Sequence, residues 1–185
     1  MQQGWRDAPE DKFLPARVRI GWTDDRFLAF GELADNRLTT RATEDNQLLC
    51  SLGDVFEIFL RESEGESYVE FHIAPNGKRL QLLWPDAATF RRVGKKEMSL
   101  DELKVHEPIF DFSQWSEAQT WCICASVPSS VVLPVGMSLE GRTWKASFSR
   151  YDYSTDDEPP VLSSTSPHAE VSFHRQQEWA DVTFR

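Results

Sequence analysis

Two stretches place ionisable side chains and rings at every second position. Val55–Arg61 sets Glu57 and Phe59 on one side of an extended chain, and Tyr68–Ile73 sets Tyr68, Glu70 and His72 on one side of the next. If the two strands pair, two carboxylates, an imidazole and two rings share one pleated surface. Carboxylates and imidazole exchange hydrogen bonds with hydroxyl groups, and flat rings stack on the apolar face of a pyranose. An ordinary solvated sheet face shows the same alternation.

Arg150 closes the run Trp144-Lys145-Ala146-Ser147-Phe148-Ser149 and falls, by alternation, on the apolar side of its strand. It either emerges at the strand end as a ligand contact or pairs inside with a carboxylate such as Asp152 or Glu57. Near the C-terminus, Ser and Thr residues before Pro167 mark a rigid edge loop, followed by Phe173-His174-Arg175 and Trp179. His174 has the chemistry of a ligand or metal contact, and equally of a turn cap.

Catalytic signatures are absent: there is no G-x-S-x-G, H-E-x-x-H, phosphate-cradling glycine loop or paired C-x-x-C. Glu57 and Glu70 would serve as a glycosidase pair only about 5–5.5 Å apart for retention, or about 6.5–9.5 Å for inversion, across a deep cleft. Nothing in the sequence demands that cleft, so no catalytic residue is expected. Asp156-Asp157-Glu158 lacks the regular alternation of a calcium loop and reads as a solvated turn. Cys50, Cys122 and Cys124 are odd in number and read as small buried or half-buried thiols; no metal site and no cofactor are expected.

The elements that must position these groups follow from the rest of the chain. At 185 residues one domain, 1–185, is expected, and 40% hydrophobic residues supply a sizeable core. Thirty acidic against twenty basic residues give a net charge of −10, which disfavours nucleic acid and anionic membrane as partners. No apolar run approaches the roughly 20 residues of a membrane-spanning helix. The first residues do not resemble a signal peptide, so the chain is either cytoplasmic or has lost a leader. The composition leaves oligomeric state open.

The dominant period is two. Strands are expected at Ala16–Trp22, Arg26–Leu33, Val55–Arg61, Val69–Ile73, Leu80–Trp84, Thr120–Val127, Thr143–Arg150 and near Val182–Phe184. Asp24-Asp25 marks one turn, and Asn76-Gly77 a tight hairpin, because those residues accept positive φ. Asp86–Arg92 and Ser99–Leu103 each suit a helical turn, and Asp152–Pro160 a surface loop. Nine or ten short strands without a long helix indicate an all-β fold. The expected architecture is a two-sheet antiparallel β-sandwich of jelly-roll or immunoglobulin-like type with few short helical turns.

Gly53-Asp54-Val55-Phe56-Glu57-Ile58-Phe59-Leu60, followed by Tyr68-Val69-Glu70-Phe71-His72-Ile73-Ala74-Pro75-Asn76-Gly77, resembles the central signature of the family 9 carbohydrate-binding modules, a DOMON-type sandwich. Ala16–Trp22 with Arg26-Phe27-Leu28 resembles their opening hairpin. Gly141–Arg150 and Phe173–Trp179 resemble their closing strands, so the similarity runs from about residue 16 to 185. The resemblance implies a non-catalytic sandwich that grips sugars, often chain ends, between two rings, and a secreted or periplasmic location if a leader was removed. It also implies that Glu57 matches a sugar-contacting carboxylate, that His72 stands where a basic contact would, and that Ser147 falls near another polar contact. Ser51 occupies the place of the first ring, and Thr165 or Phe173 that of the second.

The expected ligand-binding set is therefore Glu57, His72, Arg150, Phe59, Tyr68, Glu70, Ser147 and Phe173, with a mono- or oligosaccharide as partner. Two other readings stand beside it. One is a haem-binding electron-transfer sandwich drawing on His72, His106, His174, Met98 or Met137. The other is an accessory domain that has lost its ligand site and docks a partner protein.

Overall fold

The computed structural model describes residues 1–153 and 158–185; the acidic run singled out above lies outside them except for Glu158. Among the described residues, ten strands form two antiparallel sheets. The four-stranded sheet joins β1 (Ala16–Thr23), β2 (Arg26–Ala34), β6 (Asp111–Glu117) and β7 (Thr120–Pro128) in the order β1-β2-β7-β6. The other sheet contains β3 (Val55–Glu62), β4 (Tyr68–Ile73), β5 (Arg79–Trp84), β8 (Thr143–Asp152), β9 (Val161–Ser164) and β10 (Ala180–Thr183). Its order is β10-β8-β3-β4-β5, with β9 also paired to β8. A β-sandwich was expected and is present.

Between the sheets, Phe27, Phe56, Ile58, Phe71, Ile123 and Phe148 form the centre of the main core. Their inward set on β3 and β4 is the one alternation specified. The opposite face of β3, β4 and β5 is also covered. Val55, Phe59, Tyr68, Leu80, Leu82 and Trp84 form a second core beneath Leu49, Leu103, Phe173 and Trp179. These covering residues come from short 3-10 turns at Leu49–Ser51 and Leu100–Leu103 and from the C-terminal segment. The helix α1 (Ala87–Gly94) flanks the same side; Asp86 caps it by accepting from the Thr89 N–H at 2.7 Å.

Most strand boundaries agree with the periodicity to within one or two residues, and Asp24-Asp25 and Asn76-Gly77 turn as expected, Gly77 at φ +83°. Two strands, β6 and β9, carry no legible pattern. The turn between β6 and β7 uses Ala118 and Gln119 at positive φ, without a Gly or Asn to announce it. The edge strand β6 is mostly exposed and so lacks apolar alternation. In β9 the buried residues are Val161 and the hydroxyl-bearing Ser163 and Ser164, and this strand replaces the rigid loop expected before Pro167. Asp152 ends β8 instead of opening a loop. Cys124 is exposed, in contrast to the buried or half-buried thiol expected, because the outer face of the four-stranded sheet is open to solvent there. No helix among the described residues is long and apolar enough to cross a membrane.

Candidate functional site

The outer face of β3 and β4 holds the predicted cluster, but not on an open surface. Glu57 and His72 are direct partners across the β3–β4 ladder, and Glu70 precedes His72 by two residues on the same side of β4. Exposures of 2%, 5% and 1% for Glu57, Glu70 and His72 show all three to be buried, which corrects the solvated sheet face. The reason is the second core: segments without strand periodicity fold back over this face.

Together with their cover, these residues line a cavity of about 330 Å³. His72 Nε2 lies 2.6 Å from Glu70 Oε1 and 3.1 Å from Glu57 Oε1. Trp84 Nε1 donates to Glu70 Oε2 at 2.7 Å. The His174 imidazole packs its Nδ1 against the Tyr68 hydroxyl at 2.8 Å, with its Nε2 3.7 Å from Glu70 Oε2. Phe90 of α1 stacks on the His174 ring at 3.8 Å between centroids, and Phe59 meets its edge. Among the side chains that line the cavity, two buried polar atoms have no hydrogen-bond partner: Glu57 Oε2 and His72 Nδ1.

Charge follows from burial and these contacts. Burial pushes the Glu57 carboxyl up to about 8, more than the neighbouring His72 pulls it down. Burial works against ionised Glu70 as well, but His174, His72 and the indole of Trp84 outweigh it and hold Glu70 below the usual carboxylate range. For His72 the burial penalty is overcome by Glu57 and Glu70, which raise it; for His174 burial prevails and lowers it. These directions favour an ion pair of Glu70 with His72 beside a protonated Glu57 and a neutral His174.

The eight expected ligand contacts divide. Glu57, Glu70, His72, Phe59 and Phe173 line the cavity, and Tyr68 supports it through His174. Ser147 lies on the same side of β8 but is sealed under the segment after β9, where the Ser166 hydroxyl donates to it at 2.8 Å. Arg150 is on the opposite side, between the sheets. It pairs with Asp35 at 2.8 Å and with Asp152 at 3.0 Å, so the internal ion pair prevails over the ligand contact and Glu57 is not its partner. Ser51 is exposed, its hydroxyl donating to the Leu48 carbonyl, and Thr165 bonds to Phe148, so Phe173 is the ring that reaches the cavity.

Sequence reasoning missed Trp84, Phe90 and Tyr151 as cavity walls. Trp84 was within reach, since counting back from the Asn76-Gly77 turn places Leu80, Leu82 and Trp84 opposite His72, Glu70 and Tyr68. Phe90 offered no such signal, because its place depends on how α1 docks. Of the haem-ligand candidates, His72 and His174 line the cavity, with the Glu70 carboxylate between them where a macrocycle would have to lie.

No family model matches the chain, and no curated protein matches it. Solved structures do. A Bacteroides uniformis protein proposed to bind carbohydrate shares 17% identity at a TM-score of 0.71, over 93% of this chain and 79% of that one. A family 9 carbohydrate-binding module of Caldicellulosiruptor kristjanssonii, in complex with glucose, aligns at a TM-score of 0.64 with 11% identity, covering 97% of this chain and 80% of that one. The cellotriose complex gives 12% identity at the same TM-score, over 97% and 78%. The chain therefore has the fold of the family 9 carbohydrate-binding modules.

Proposed function

We propose that the protein is a non-catalytic carbohydrate-binding module whose cavity receives one sugar unit, such as a chain end. The observation that carries this reading is the pair of unpartnered buried atoms, Glu57 Oε2 and His72 Nδ1, on the floor of a ring-walled cavity. A charged imidazole donates from Nδ1, and a protonated carboxyl donates or accepts, so neighbouring hydroxyls of a neutral ligand satisfy both. A floor that favours the Glu70–His72 pair and a protonated Glu57 suits a neutral polyol better than an organic ion. Trp84, Phe90 and Phe173 supply apolar walls for the ring faces. The fold is that of modules solved with glucose and with cellotriose.

The non-catalytic part rests on the placement of the acids. Glu57 and Glu70 both address His72 Nε2, so the imidazole fills the space in which a glycosidic bond would have to lie.

Calorimetry with glucose, cellobiose, cellotriose and their end-reduced forms tests the reading. Binding of at least one is expected, weakened about three- to tenfold by Glu57→Gln, the loss of one modest hydrogen bond. An absence of heat with every mono- and oligosaccharide, free ends included, would overturn it.

A further inference from the structure

We infer that Cys50, Glu57 and His72 form a three-donor site for a borderline divalent d-block cation, zinc being the best match, with its open position facing the cavity. This goes beyond the carbohydrate reading and does not depend on it. One donor atom from each of the three residues lies within 4.8 Å of the others. The three reach that point from independent elements: the 3-10 turn Leu49–Ser51, β3 and β4.

The hydrogen bonding makes the cluster more than a coincidence of residue types. His72 uses Nε2 toward Glu70 and leaves Nδ1 without a partner, although the ring is almost wholly buried. A carboxylate on one imidazole nitrogen and a metal on the other is the usual outer-shell arrangement of a histidine ligand. Metal binding here releases to solvent the protons that His72 Nδ1, Glu57 and the Cys50 thiol, which burial pushes up, carry in the metal-free cavity. Glu57 likewise spends Oε1 on His72 and leaves Oε2 unpartnered. Bonds of roughly 2.0–2.3 Å at tetrahedral angles put donors about 3.3–3.8 Å apart, so closure needs side-chain movements on the order of 1 Å.

The donor set selects the class of ion. One sulfur, one imidazole and one carboxylate suit zinc or its neighbours, whereas magnesium and calcium require several oxygens. Three protein donors leave a fourth position for water or a ligand hydroxyl. The other buried acidic cluster, Asp35, Asp54 and Asp152, already holds a cation in the Arg150 guanidinium.

The test uses the full chain, stripped with a chelator and titrated with Co²⁺ and Zn²⁺ in the absence of sugar. One equivalent of Co²⁺ is expected to give a near-ultraviolet thiolate-to-metal band and the intense visible bands of a four-coordinate ion. Zn²⁺ should displace it. Cys50→Ser, which exchanges sulfur for oxygen at a half-buried position, should abolish the near-ultraviolet band. Glu70→Gln should weaken Zn²⁺ about ten- to a hundredfold through His72. A double Cys122→Ser/Cys124→Ser variant should retain the band. No band in the wild-type protein, or a band that survives in Cys50→Ser, overturns the site. A silent glycan panel would leave the Co²⁺ result untouched, so the two readings fail separately.

Discussion

Arg150, from the inner face of β8, reaches Asp35 at the end of β2, Nη2 to Oδ2 2.8 Å, and so joins the two sheets through a buried ion pair. Asp152 completes the charge balance at 3.0 Å. Burying these groups costs desolvation energy, and removing one partner strands the others without a counter-charge. Arg150→Met is therefore expected to lower stability by roughly 3–5 kcal/mol, read from urea denaturation with an unchanged slope. A midpoint equal to wild type would show that the pair carries no such role.

Asp54 stands beside this cluster and gives it a pH dependence. Burial pushes the Asp54 carboxyl up to about 7, although the N–H groups of Thr39 and Tyr153 favour its anion; Asp35 and Asp152 add to the rise. A carboxyl raised on folding contributes stability that is complete below about 3.8, its ordinary value, and is lost as the pH climbs through 7. Asp152, raised mainly by burial to about 6, acts in the same sense at lower pH. Burial lowers the Met1 amino group and His168, which oppose it, and Arg150 faces the whole cluster. Comparison with Asp54→Asn isolates the effect. The stability of wild type relative to the variant should fall between about pH 4 and pH 7 and level off above that. A difference that stays flat or rises with pH would be the wrong sign.

The Tyr68 hydroxyl meets His174 at 2.8 Å and holds the C-terminal segment against β4. Tyr68→Phe keeps the ring stacked on Trp84 and removes that bond alone. A loss of about 1 kcal/mol is expected, together with faster amide exchange around His174. Exchange that is unchanged there, while stability falls, would mean that His174 is held by its ring contacts.

How much of this was legible depends on whether a strand or a cap supplies the residue. Glu57, Glu70 and His72 could be placed together because a period of two leaves them one side of a strand, and the ladder pairs Glu57 with His72 directly. Burial of that side could not be read. Polar groups at every second position signal solvent in most sheets, and here short 3-10 turns and an irregular tail cover them. The same ambiguity surrounded Arg150, whose apolar-side placement was correct and whose partner Asp35 is distant in sequence. Phe90 needed the docking of a short helix, and β6 a turn built on Ala118 and Gln119, neither of which leaves a local trace.

The polar floor of the cavity is fixed by ladder register, whereas Cys50, Phe90 and Phe173 come from three separate connections outside the sheet. Hydrogen-bonding chemistry and cavity shape are therefore separable for an engineer. Rebuilding one connection should alter the size or contour of the guest that is accepted, while the acid–imidazole pattern beneath it stays in place.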